Sequence, residues 1–343
     1  MTEPIEQTIP TSPPSNGHAT RPSTAPDLPP VEAPSAGFIV QLFVIPAIVV
    51  LVVIGVWLLF GKLAGGERDA MEYVRLIRSS SGNWRAANRA AFELASLIQN
   101  DPKLAADPRL LGELTDLLEH DLDKVESAEM TQYVALALGR FQTLDATTAT
   151  GQPIDPISAL DRALDAKYAT PIRIAAAASL AKHAARLDGK LDDPRPIAAL
   201  SEASANGDPE LKELAVYALG FFGGEGASKS LRARLGDGDR FVRYNAANAL
   251  ARRGDVAAQA ILREMLSTTT LDQVITIESP TEKRSKIEAI ELEALNALLT
   301  SVHEGKPELA RALLPEIKAE TRSGLVGVRN NAQALLRSLQ QSK

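Results

Sequence analysis

The chain has 343 residues, a net charge of −6 and 45% apolar residues, of which few are aromatic, and it has no cysteine. The missing cysteines exclude disulfides, thiolate metal sites and cysteine nucleophiles, and the mildly acidic, well-mixed charge lacks the basic footprint of a nucleic-acid binder, so no nucleic-acid partner is expected. Alanine and leucine carry most of the apolar fraction, which suits closely packed helices better than sheets built on β-branched and aromatic residues.

Residues 1–36 hold nine of the 21 prolines, with Ser, Thr and acids between them and almost no large apolar side chains. Such a segment buries too little surface to offset the entropy of ordering, and a disordered, Pro-rich tail is predicted. Pro13-Pro14 and Pro29-Pro30 are where a recognition peptide would sit, although a solvated spacer is the simpler reading.

From Phe38 to Phe60 run 23 uncharged residues, 18 of them Leu, Ile, Val or Phe. As a helix the run would be about 34 Å long against a bilayer core of roughly 30 Å. A transmembrane helix over 37–61 is therefore predicted, meeting the lipid bilayer through residues 38–60. A signal peptide needs a positive n-region and a shorter apolar stretch, and here Arg21 is the single Lys or Arg in the first 37 residues. Asp27 and Glu32 precede the run, whereas Lys62, Arg68, Arg75 and Arg78 follow it. By the positive-inside rule the tail lies outside and the remainder is cytoplasmic.

Residues 67–343 read as helical throughout, with Gly, Asp and Pro as punctuation. One frame recurs: an apolar residue, usually a basic one next, small residues at +4 and +7, and Leu at +8. It fits Val242-Arg243, Ala246, Ala249, Leu250, and likewise Ile172-Arg173, Ala176, Ser179, Leu180 and Leu211-Lys212, Ala215, Ala218, Leu219. Frames starting at Met130, Ile290 and Val328 follow it with small departures. The one at Trp84 is looser, since Asn88 stands at +4 and Phe92 at +8. The starts are 31 to 48 residues apart. Positions 0, +4, +7 and +8 share one helical face, and a single helix pair cannot bury that face alone, so pairs must stack. The expected fold is all-α, an α-solenoid of about seven helix pairs, with an insertion near Ser267 to Glu282.

The stretch Gly236-Asp237-Gly238-Asp239-Arg240-Phe241-Val242-Arg243-Tyr244-Asn245-Ala246-Ala247-Asn248-Ala249-Leu250, together with Asp208-Pro209-Glu210-Leu211-Lys212, resembles the HEAT-repeat family, and particularly its short bacterial form related to bilin-lyase repeats. The resemblance implies an architecture in which second helices line a concave face. It implies neither an activity nor bilin attachment.

Little in the sequence suggests chemistry. His18, His120, His183 and His303 are widely separated, and no zinc-protease, nucleophile-elbow, phosphate-loop or dinucleotide motif occurs. The run Gly220-Phe221-Phe222-Gly223-Gly224-Glu225-Gly226 follows a helix and lacks the Lys-Ser/Thr ending of a phosphate loop, so it is expected to be a flexible turn. Asp192-Asp193 and Asp237/Asp239 stand where helix caps belong. Arg85, Arg173, Arg243 and Arg329 recur at +1, where pairing with loop aspartates of adjacent repeats is expected. No catalytic residue, cofactor or metal is predicted.

Positions +2 and +6 are expected to point away from the packed face. They place Tyr217, Tyr244, Asn248, Asn296 and Asn330 as candidate partner contacts on a strip almost without charge. The function expected is a membrane-anchored scaffold that captures a protein partner. Two alternatives stay open: an accessory subunit or lyase-like enzyme built on such repeats, and a structural envelope protein with its solenoid exported.

Overall fold

In the computed structural model the described residues are Val50, Val53, Ile54, 69–79, 83–124 and 128–342. The chain divides into two units, Met1–Glu67 and Arg68–Lys343. The predicted tail, and the transmembrane span apart from the helical residues Val50, Val53 and Ile54, lie outside the described residues. Among the described residues no helix is long and apolar enough to cross a membrane.

In the second unit the described residues form helices and turns, with one isolated bridge between Thr147 and Pro153. The helices are α1 (Ala70–Ser79), α2 (Trp84–Asn100), α3 (Pro102–Ala105), α4 (Pro108–Asp121), α5 (Ala128–Leu138), α6 (Pro156–Arg162) and α7 (Thr170–Arg186). They continue with α8 (Pro194–Asn206), α9 (Pro209–Leu219), α10 (Gly224–Arg234), α11 (Arg240–Arg252), α12 (Gln259–Met265) and α13 (Thr268–Val274). The last four are α14 (Pro280–His303), α15 (Glu308–Ala312), α16 (Leu314–Glu320) and α17 (Val326–Gln341).

Local chemistry sets their starts. Asp107, Asp155, Asp193, Asp208 and Asp239 each accept hydrogen bonds from backbone N–H groups in the first turn of the helix that follows, which satisfies donors left over at every helix N-terminus. Proline follows at the first position of α4, α6, α8, α9 and α14, where its missing N–H costs nothing. The expected capping role of Asp193 and Asp239 is what the structure has, and Asp237 accepts from the N–H of Asp239 one step earlier.

Packing follows the repeat. Each of the seven frames falls on one helix, and those helices, α2, α5, α7, α9, α11, α14 and α17, contact one another in series. Their partners α1, α4, α6, α8 and α10 form a second series, each also packed on its own frame helix. The small frame residues account for the closeness. Ala176, Ala215, Ala218 and Ala246 are fully buried, and so are Leu180, Leu219 and Leu250 at +8. Gly139, just past α5, shows how tight the stack is, because a Cβ there would come within 2.8 Å of the Ser179 backbone on α7.

The first frame needs correction. On α2 the buried residues are Ala87, Asn88, Ala90, Ala91, Leu94 and Ile98, whereas Phe92 is 59% exposed. The face that packs on α5 is rotated from the one the Trp84 frame proposes. Asn88 is tolerated there because its amide donates to Glu129. Within the insertion lie α13, which ends at Val274, and the first turn of α14.

Candidate functional site: the outward strip of the second helices

The expected contact residues split into two groups. Tyr217 is 48% exposed, and Asn296 and Asn330 are also exposed. Tyr244 and Asn248 are interior residues, 2% and 5% exposed. The phenol of Tyr244 donates to Glu264 on α12 at 2.6 Å, and burial, then this bond, pushes its ionisation well above the tyrosine range. The Asn248 amide donates to Glu293 at 3.3 Å on α14. Both therefore join neighbouring helices instead of facing a partner. The reason is angular: +2 lies about 200° and +6 about 240° round from the frame residue, and on α11 the neighbouring α12 and α14 cover that sector.

A position that sequence reasoning passed over completes the strip. Ten residues after four consecutive frame starts of the seven stand Arg140, Lys182, Phe221 and Arg252, at the C-terminal ends of α5, α7, α9 and α11. This position lies about 40° round from +6 on the side away from +2, and its side chains reach solvent. Aligning successive frames at +10 exposes the row, since three of the four residues are cationic.

The centre of the row is an aromatic and cationic cluster. Tyr217 and Phe221 meet edge to face, with ring centroids 4.9 Å apart. The Arg252 guanidinium lies over the Phe221 ring, 5.6 Å from its centroid, an arrangement that favours a cation held against the ring face. Burial pulls Arg252 below arginine's ordinary range, and burial followed by the nearby charge of Arg140 does the same for the Lys182 ammonium. Among the described residues Arg140, Lys182 and Arg252 make no ion pair. Beside the cluster opens a cleft of about 540 Å³, lined by Phe221, Arg252, Thr300 and the Gly220–Gly224 turn.

That glycine-rich turn is pinned rather than flexible. Arg253 donates to the carbonyls of Leu219, Gly220 and Phe222 and to the Ser228 hydroxyl. A Cβ at Gly223 would come within 2.1 Å of the Gly189 carbonyl oxygen, and Gly224 has φ +75°. With these carbonyls turned to a guanidinium, the turn is not an anion cradle.

The +1 arginines also depart from expectation. Arg173 donates to the Leu164 carbonyl, Arg243 to those of Asp237 and Gly238, and Arg329 to that of Ser323. They clamp the turn inside their own helix pair instead of a neighbour's aspartate, whereas Lys212, at +1 of the Leu211 frame, does lie 3.9 Å from Asp237 of the next pair. Arg85 lies over the Trp84 ring. His183 is interior, its Nε2 at 3.0 Å from the Leu138 carbonyl, and burial, then Arg186, brings its pKa down to about 4, so it is neutral. Among the described residues no group of three or more His, Cys, Asp or Glu could hold a metal ion.

Known proteins bear on the architecture. Residues 197–278 match the family model of HEAT repeats. The HEAT-matching stretch runs from α8 past α13 and includes Tyr217, Phe221 and Arg252. No curated protein matches the chain. Among solved structures, an engineered protein from a structural genomics consortium is 16% identical, with 80% of this chain and 98% of that one covered at a TM-score of 0.38. Human deoxyhypusine hydroxylase in complex with glycerol is also 16% identical, with 82% and 99% covered at a TM-score of 0.28. At these scores neither likeness bears on activity.

Proposed function

We propose that the chain is a membrane-anchored scaffold whose second-helix strip binds an acidic segment of a protein partner, and that it is not itself an enzyme. The observation that carries the reading is the row Arg140, Lys182, Phe221 and Arg252, with Tyr217 packed on its centre. Three cations without an ion-pair partner, two of them partly desolvated beside the exposed Tyr217 and half-buried Phe221, are what an acidic peptide would complete. Desolvated charge pairs and aromatic or arginine anchors supply most interface energy. Anchoring rests on the uncharged run Phe38–Phe60. A tether holds the strip near partners already at the bilayer, so modest affinity suffices, and the flanking charges favour the cytoplasmic side for the strip.

The test is quantitative affinity purification from membranes, comparing the parent chain with the double variant Lys182→Glu/Arg252→Glu. Partners should be lost about tenfold or more while circular dichroism is unchanged, because Lys182 is exposed and Arg252, though half-buried on Phe221, lies outside the fully buried core. An unchanged partner set would refute this surface.

A further inference from the structure

The insertion between α12 and α14 builds a second site, unrelated to the strip. A cleft of about 770 Å³ lies between α13, the first turns of α14 and the segment from Ala319 to Leu325. At its floor is Glu320, the last residue of α16, only 6% exposed, with an Oε2 that has no hydrogen-bond partner. Close enough to raise its ionisation stands Glu291 of α14, which is fully buried. Its Oε1 accepts from the Thr268 hydroxyl at 2.6 Å, and its Oε2 also has no partner. Two buried carboxyls with a bare oxygen each, and with no ion pair to either among the described residues, are costly unless something positive or a shared proton is supplied.

The rest of the lining has the complementary pattern. Lys283 is taken by Asp272 at 2.9 Å, and Arg284 and Arg322 line the opening, exposed and without an ion pair among the described residues, with the exposed Glu278 as the one further acid there. The first turn of the 24-residue helix α14 also faces the cleft, adding a positive helix end. Between floor and rim lie Ile277, Ile287 and Leu325. An acidic floor, apolar walls and a rim where Lys283, Arg284 and Arg322 outnumber Asp272 and Glu278 suit a ligand with a cation, an aliphatic stem and a carboxylate, in that order.

We infer that this cleft binds the carboxy-terminal lysine or arginine of a peptide, with the side-chain cation at Glu320, backed by the buried charge of Glu291, the methylenes against Ile277, Ile287 and Leu325, and the terminal carboxylate at Arg284 and Arg322. The cleft exceeds one residue in volume, so the preceding peptide residues have room in its mouth.

Fluorescence anisotropy of the full chain with a labelled Gly-Ser-Ala-Lys peptide tests this. The free acid should bind saturably. Its C-terminal amide and a norleucine-ended analogue should each bind about tenfold more weakly or worse, as should the free acid to Glu320→Gln and, separately, to Arg322→Ala. Arg322 is exposed, so its variant keeps the fold even where the buried one does not. The inference is overturned if the free acid does not bind at millimolar concentration. Equal binding by amide and acid, or by Arg322→Ala and the parent, overturns it too. Lys182→Glu/Arg252→Glu should leave this binding unchanged, which separates the cleft from the strip.

Discussion

The central helix pairs, α8 to α11, and the insertion-bearing pair that follows, α12 to α14, are built on the same frame but treat buried charge in opposite ways. In the central pairs two part-buried guanidiniums are turned onto carbonyls, Arg253 onto Leu219, Gly220 and Phe222, and Arg243 onto the Asp237–Gly238 turn. A guanidinium whose N–H groups are met by carbonyls loses little when its charge is partly desolvated. After the insertion the buried charges are carboxyls, Glu291 and Glu320, each keeping an oxygen without a donor. The regular stretch also keeps buried polar atoms without a partner, Asp208 Oδ2, Arg240 Nε and Asn248 Oδ1, each on a group bonded through another atom, whereas after the insertion two such carboxyls stand close enough to repel. What sets the interruption apart is the burial and like charge of its two carboxyls, which raise the ionisation of Glu320.

The largest expected effect probes the regular side. Phe222 is 1% exposed under the pinned turn, and Phe222→Ala should cost about 3–5 kcal/mol from lost burial and the cavity left behind. Because each pair contacts only its neighbours, hydrogen exchange should quicken in α8 to α11 while α1, α2 and α17 keep their protection. Uniform quickening along the chain would break the nearest-neighbour picture.

Much of this is legible in the sequence, for a physical reason. The frame positions sit where only small or branched apolar side chains let two helices approach, so composition at those positions is dictated and visible. Val242, Ala246, Ala249 and Leu250 announce their helix face by spacing alone. The register of α2 is not legible, since Trp84, Phe92 and Asn88 could fill either face until Glu129 supplies a partner for the asparagine. Exposure on the outward side is only half legible. Tyr217 and Tyr244 occupy neighbouring sectors of equivalent helices, but α11 has α12 packed over its flank while the Tyr217 side of α9 is open. The Glu291 and Glu320 pair is invisible, because the two residues come from different helix pairs and no local pattern joins them.

A smaller effect, of opposite sign, sharpens the irregular side. Burial, then the charge of Glu291, lifts the Glu320 carboxyl to about 7. A carboxyl held above its unfolded value near 4.5 is favourable to folding while protonated. Its penalty grows as pH rises from about 4.5 and is complete above about 7. The neutral isostere Glu320→Gln should therefore gain up to roughly 3 kcal/mol relative to the parent at pH 8 and about nothing below pH 4.5. Denaturant melts at the two pH values read the difference. An equal shift at both would mean that the floor carboxyl carries no charge penalty.

The smallest effect lies on the boundary between the two regions. The Tyr244 hydroxyl on α11 donates to Glu264 on α12, which joins the last regular pair to the first irregular one. Tyr244→Phe keeps the ring packing, including the edge-to-face contact with Phe241, and removes only that donor. A hydrogen bond to a carboxylate contributes about 1.5–3 kcal/mol, but Glu264 is only half-buried and recovers solvent or Arg243, 3.9 Å away, so about 1 kcal/mol is expected. The loss should appear as faster exchange confined to α12 and α13, with partner capture by the strip untouched. Lost capture would instead make Tyr244 part of the recognition surface despite its burial.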